Sequence, residues 1–379
     1  MKVGIFTLPL KSNYGGVLQV WALQTYLERQ SHQVIVPMPI PALRPRCSKF
    51  LLPLAYTKRI IRKLRGSKTP IRWEQYEYNI LGKSFRSFEQ KNIHLLHYKN
   101  IKELNENDYD ILIVGSDQIW RPRYNKSYRL KLEDAYFEFA KDWQVKRVSY
   151  APSFGVDIWE YSNEQTKTCG KLLNKFDAVS VRESSGVELC KKYFDVDATH
   201  LLDPTMLLDS EDYNKLIDNC DTHKPKGNML CYLLDSASLS NEKIKTISSI
   251  LGYTSFNANS EFANKKADIK ERGLPPIEQW LRDFRDSKFV LTDSFHACVF
   301  SILYEKQFLV CVNEKRGLAR IISLLNIFNL ENRIVTTSTS KEELTAKLEE
   351  KIDFENKVRP ILNRWRIKSK SFLEKNIKK

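Results

Sequence analysis

Three side chains in this sequence of 379 residues stand where chemistry is done in α/β proteins: Asp117, Arg182 and His296 each follow a short apolar, β-rich run. The block from Asp110 to Trp120, D-ILIV-GSDQ-IW, has four aliphatic residues in a row and then presents a carboxylate beside Gly115. That is the pattern of the ligand-facing end of a parallel strand. Asp117 could act there as a base toward a hydroxyl or hold one by hydrogen bonding; the alternative is a helix N-cap carboxylate. Gln118 and Trp120 extend the same rim, the indole serving either as a face for a sugar ring or as core. In FDAVSVRE, Arg182 ends a strand with the geometry to grip a carboxylate or phosphate in two-pronged fashion; a local ion pair with Glu183 is the plainer reading. In VLTDSFHA, His296 is the one histidine of six at a strand-to-helix junction, next to Thr292, Asp293 and Ser294. Imidazole at such a junction suits a general acid or a phosphate contact, against a capped structural histidine.

Two further segments belong to the same set. Asn13 to Gln19, NYGGVLQ, follows the first apolar run and opens a helix. Gly15 and Gly16 there either let backbone N–H groups approach an anion or simply make the turn. The segment is neither G-x-G-x-x-G nor a P-loop, so it specifies no nucleotide. KRVSYAPSFG, residues 146–155, ends another strand in small and polar residues and sets Ser153 and Gly155 on the rim of Asp117.

The elements that must position these residues alternate between strand and helix patterns, the rhythm of βαβ units. Strands are predicted over 2–7, 33–37, 111–114, 147–151 and 178–181, then over 229–234, 252–257, 289–292, 308–312 and 333–335. Helices fit 16–31, 163–175, 184–193, 240–252, 276–286, 296–305, 317–328 and 341–373. Two such sets predict an α/β protein of two facing Rossmann-like domains: 1–203 with a basic insertion near 42–73, a connector over 204–226, a second domain over 227–340, and a C-terminal helix over 341–379 broken near Pro360 that crosses back to the first.

Composition narrows the function. The content of 42% hydrophobic and 28% charged residues is that of a soluble globular chain. The apolar run after Met1 is too short for a signal peptide, and no stretch reaches the ~20 apolar residues of a membrane span, so a cytoplasmic protein is expected. Seven scattered cysteines without a C-x-x-C pair suggest free thiols and neither a disulfide framework nor a zinc site. A net charge of +15 calls for an anionic partner. Between Arg44 and Arg72 lie ten Lys or Arg and no acidic residue, interleaved with Phe50, Leu51, Leu52, Leu54, Ile60, Ile61 and Leu64. Such a segment fits either a peripheral site on acidic lipid at the inner membrane face or a solvated loop and helix. Nucleic acid is not expected, since no recognised binding signature accompanies the charge.

In order along the chain, NYGGVLQVWALQ, YDILIVGSDQIW, KRVSYAPSFG, FDAVSVRESSG, LLDPTMLL and VLTDSFHACVFSI resemble the polysaccharide pyruvyl transferase family. The resemblance implies a fold like the two-domain GT-B glycosyltransferases, with the active site in the cleft between the domains. It also implies phosphoenolpyruvate as donor, a saccharide acceptor and a pyruvate ketal bridging two hydroxyls as product, with no metal or redox cofactor. On that expectation His296 is the acid or phosphate contact and Asp117 the acceptor-side carboxylate. Arg182 holds the donor with Ser294, Gly15 and Gly16, while Gln118, Trp120 and Ser153 line the acceptor side. Some members of the family carry Arg two residues before the histidine, where this chain has Ser294. Lys315, Arg316 and Arg320 are the candidates to replace that cation. The acceptor could be carried on a lipid diphosphate. Two other functions fit the same pattern, a glycosyltransferase using a nucleotide sugar and a non-catalytic saccharide-binding component of an assembly complex.

Overall fold

A computed structural model describes residues 1–11, 13–41, 43–45, 47–128, 130–235, 238–258, 272–312 and 318–378. Five strands, β1 (Lys2–Phe6), β2 (Gln33–Pro39), β3 (Leu95–Tyr98), β4 (Ile111–Val114) and β5 (Lys146–Ser149), form an all-parallel sheet in the order β3-β2-β1-β4-β5. A short parallel pair, β6 (Ser180–Val181) and β7 (Thr199–His200), continues beyond β5 through a bridge between Val148 and Ala178. The second sheet is also parallel. Its strands β8 (Met229–Tyr232), β9 (Ser255–Asn257), β10 (Phe289–Thr292), β11 (Gln307–Cys311) and β12 (Ile334–Val335) run in the order β12-β11-β10-β8-β9. The expectation of two Rossmann-like sheets is met.

Both strand orders reverse direction once, and ligands of such sheets bind beyond the carboxyl ends of the strands at that reversal. In the first sheet the reversal lies between β1 and β4, so the loops carrying Asn13, Gly15 and Asp117 flank it. In the second it lies between β8 and β10, and the loop after β10 carries Ser294 and His296. Every residue of β4 and of β10 is buried, which is why both read as unbroken apolar runs: helices cover both faces of a parallel sheet.

One apolar cluster is common to the two sheets, and each sheet has a further cluster of its own. The common cluster runs from Val3, Val17 and Trp21 of the first half through Met206 and Tyr213 to Trp280, Phe300 and Phe328 of the second. Tyr14, at the start of the Tyr14–Arg29 helix, stacks on Trp280 with centroids 5.1 Å apart and donates to the Pro275 carbonyl at 3.0 Å.

The C-terminal region differs from one broken helix. A helix over Lys341–Glu349 ends well before Pro360, a wider turn spans Phe354–Val358, and a second helix runs over Arg359–Asn376. Proline sits in the first turn of that helix, where its missing N–H has no partner to lose. The helix returns to the first half: Arg366 donates to the carbonyls of Met206 and Leu208 at 2.7 and 2.6 Å, Ser369 Oγ accepts from Leu202 N at 3.2 Å, and Glu374 accepts from the Tyr26 hydroxyl at 3.3 Å.

Candidate active site

The three candidate side chains come together: Arg182 and His296 meet at Asp203, a residue from the LLDPTMLL run, and Arg182 also reaches Asp117. Asp203 is fully buried, and its Oδ2 takes Arg182 Nη1 at 2.7 Å, Ser116 Oγ at 3.3 Å and faces His296 Nε2 at 3.5 Å. Its other oxygen accepts from Thr205 N at 3.0 Å and Thr205 Oγ1 at 2.6 Å. Burial opposes the charge on Asp203, but His296, Arg182 and Thr205 outweigh burial and hold the carboxyl well below the usual range. Removing one partner from a buried ion pair costs about 3–5 kcal/mol, because the other charge is left alone, so Asp203 fixes both Arg182 and His296.

Arg182 reaches a second carboxylate, donating from Nη2 to Asp117 Oδ1 at 3.3 Å, and its guanidinium lies 4.3 Å from the centroid of the Phe295 ring. The local pair with Glu183 is therefore replaced by two partners distant in sequence. Glu183, also buried, instead accepts from Ser153 Oγ at 2.7 Å and Gly155 N at 3.1 Å. Asp117 has a left-handed backbone, φ 59°, which Asp tolerates better than most residues. Its Oδ2 accepts from Asn13 Nδ2 at 3.3 Å. Burial raises the Asp117 pKa, yet Arg182, His296 and Arg320 together lower it below the ordinary value. A carboxylate held in its charged form by its neighbours is a weak base and a good hydrogen-bond acceptor.

His296 opens the Phe295–Leu303 helix of the second half and faces the first half across the cleft. Its ring packs on Gly15: a Cβ added at residue 15 would lie 1.9 Å from His296 Nδ1. Gly15 is thus required for the approach of the imidazole, and Gly16 lies next to it against Asn13. Gly115 has a matching constraint, since a Cβ there would lie 1.9 Å from the Tyr150 carbonyl oxygen and its φ is 147°. The turn is tied back to the first helix by Gln19, which accepts from Ser116 N at 2.9 Å and donates to Thr7 Oγ1 at 3.1 Å.

Arg320, on the Ala319–Phe328 helix, is half-buried and belongs to the same electrostatic group. Burial and repulsion from Arg182 depress its guanidinium below the ordinary arginine range, against attraction from Asp117 and Glu183. The Nε atoms of both Arg182 and Arg320 are buried without a hydrogen-bond partner among the described residues. Unpaired buried donors are uncommon in folded proteins; the Nε atoms of Arg147 and Arg333 share this state, and what distinguishes Arg182 and Arg320 is that both lie in the field of Asp117 and Glu183.

The other expected residues sort differently. Ser294 precedes the Phe295–Leu303 helix, its N–H bonded to Thr292 Oγ1 at 3.0 Å. Asp293 holds the loop after β8, accepting from Leu234 N at 2.7 Å, Asp235 N at 2.9 Å and Ser238 Oγ at 2.7 Å. Lys315 and Arg316 lie outside the described residues. Trp120 is not a sugar platform: the indole is fully buried, stacks on Tyr136 at 4.9 Å and donates to the Ala135 carbonyl at 3.2 Å. Ser153 and Gln118 are likewise buried, Ser153 donating to Glu183 and Gln118 accepting from Arg121 at 3.3 Å. None of the three lines an open acceptor wall. Among the described residues no three His, Cys, Asp or Glu side chains are grouped to hold a metal ion, and no helix is long and apolar enough to cross a membrane.

Asp203 and Glu183 were not singled out by the sequence reading. Glu183 stands beside Arg182 in FDAVSVRE and Asp203 in the LLDPTMLL run, and a buried arginine needs carboxylates to neutralise it; that need is the available signal.

A comparison with curated protein sequences found no match. Among solved structures, the chain is similar to Arabidopsis thaliana UGT89C1 complexed with UDP-L-rhamnose at 10% identity, covering 99% of this chain and 97% of that one, with a TM-score of 0.48. It is similar to Acinetobacter baumannii MurG at 12% identity over 97% and 94% of the two chains, with a TM-score of 0.38. The sequence pattern described as polysaccharide pyruvyl transferase matches residues 13–315, which carry Asn13, Gly15, Asp117, Arg182, Asp203 and His296. The chain belongs to the polysaccharide pyruvyl transferase family.

Proposed function

We propose that this protein transfers pyruvate from phosphoenolpyruvate to two hydroxyls of a saccharide, forming a pyruvate ketal during cell-surface polysaccharide biosynthesis on the cytoplasmic side. The observation that carries this reading is the group of Arg182, Arg320 and His296 around Asp117, in which both guanidinium Nε atoms have no hydrogen-bond partner among the described residues. A donor bearing both phosphate and carboxylate supplies the acceptors those donors lack. Arg320 then takes the place of the cation absent at Ser294.

His296 protonates the methylene carbon of the donor, giving an oxocarbenium-like centre that the guanidinium groups do not leave exposed to water. One acceptor hydroxyl bonds to that carbon and its proton returns to the imidazole. The carbon–oxygen bond to phosphate breaks, the second hydroxyl closes the ketal, and inorganic phosphate leaves with the remaining proton. Asp117, kept ionised by its neighbours, accepts a hydrogen bond from an acceptor hydroxyl and orients it; its low pKa makes it an anchor rather than the base. Asp203 positions the imidazole and Arg182 throughout.

The test is mass spectrometry of candidate saccharides after incubation with phosphoenolpyruvate, with phosphate release followed alongside. The expected product gains pyruvic acid less one water. A hexose-sized gain with a nucleotide sugar alone would overturn the donor, and no gain with either would assign the protein a binding role. Arg320→Ala is expected to raise the apparent KM for phosphoenolpyruvate by about tenfold or more, the worth of a charged hydrogen bond, with the circular dichroism spectrum unchanged.

A further inference from the structure

The helix over Leu52–Leu64 carries an apolar stripe on the face turned to solvent as well as half-buried residues on the face turned inward. At 100° per residue Leu54, Ile61 and Leu64 fall in one sector of about 80°, and they point away from the protein: they are 51%, 43% and 83% exposed. Phe50, in the turn just before the helix, is 95% exposed. The opposite sector, Leu52, Ala55, Tyr56 and Arg59, is the half-buried one. Arg59 anchors that side, donating to Glu74 at 2.8 and 2.7 Å and to the Ile71 carbonyl at 2.9 Å. No residue of the helix is fully buried. Leaving large apolar side chains in water is unfavourable for a free helix, by roughly 1.5–3 kcal/mol for each side chain that burial would rescue.

Exposed Lys58, Arg62 and Arg65 border the apolar stripe, and from residue 44 to 72 no acidic side chain offsets them. We infer that this face docks on a lipid bilayer containing acidic headgroups, with Phe50, Leu54, Ile61 and Leu64 entering the boundary between headgroups and acyl chains. Basic residues flanking an apolar stripe are what such a surface selects. A second copy of the chain would bring like charges face to face and is disfavoured. The helix follows the carboxyl end of β2, the edge of the sheet that also carries Asn13 after β1 and Asp117 after β4.

The experiment is co-sedimentation of the full chain with phosphatidylcholine vesicles, with and without about one third phosphatidylglycerol, at low salt and at about 0.5 M salt. Binding is expected only with the acidic lipid and is expected to fall at high salt. The triple variant Leu54→Ser, Ile61→Ser, Leu64→Ser should weaken partitioning by at least about a hundredfold, and Lys58→Ala alone by about fivefold. Because these side chains are exposed, both variants keep the wild-type circular dichroism spectrum and melting temperature. Equal binding to neutral vesicles, absence of binding, or wild-type binding by the triple variant overturns the inference. So does a triple variant that turns a dimer into a monomer in analytical ultracentrifugation, which would assign the face to a second copy. None of these readouts depends on turnover, so the donor chemistry stands or falls separately.

Discussion

A methyl group on residue 15 has no room, since it would stand 1.9 Å from His296 Nδ1. The three nearest atoms to such a methyl all belong to the His296 ring, so the clash is relieved by displacing that one side chain. Gly15→Ala is therefore expected to keep its melting temperature within a few degrees while losing about a hundredfold or more in kcat, the cost of displacing by about 1 Å the imidazole proposed as the acid. The same scale shows what the sequence could and could not disclose. Asp117, Arg182 and His296 were legible because each ends a buried strand, where a parallel sheet presents its ligand-facing residues. Trp120 stands in the same turn but points into the core, and sequence spacing alone does not give a side chain's direction. Asp203 was hidden inside an apolar run, and its importance rests on contacts with Arg182 and His296, 21 and 93 positions away in the chain.

Among the elements, β4 and β10 were read with their observed bounds because burial on both faces leaves a continuous aliphatic signature. β3 escaped notice. It is a half-exposed edge strand, LLHY, and its polar content and short length resemble a loop. The Ser210–Asp218 helix was taken into the connector, although Asp209 and Asp212 form a reciprocal cap at its start. β7 is a small element with a measurable role. His200 at its end donates from Nε2 to the Arg182 carbonyl at 3.0 Å, and burial, against that backbone bond, pulls its pKa down to about 4. The folded state thus keeps this imidazole neutral while the unfolded chain, titrating near 6.5, binds a proton more readily. Its contribution to stability is complete above pH 6.5 and is lost as pH falls toward about 4. In His200→Gln, which retains a donor, the urea midpoint should fall less between those pH values than in the wild type.

At the scale of the whole molecule, the shared core decides how the protein comes apart. Two sheets with only separate cores would melt separately; each sheet here has a cluster of its own, but a third joins Trp21 and Tyr213 to Trp280 and Phe300. Calorimetry is expected to give one transition with equal van't Hoff and calorimetric enthalpies; two resolved transitions would contradict a common core. The chain passes between the halves twice, once through the segment between Asp218 and Met229 and again through the Arg359–Asn376 helix, whose Arg366, Ser369 and Glu374 are bonded to the first half. A protease cut in the first crossing would consequently leave a non-covalent complex, because the C-terminal fragment carries its own anchor. Two separately made pieces, divided between Asp218 and Met229, are a natural pair for reconstitution, and His296 would be delivered to Gly15 by one piece clasping the other.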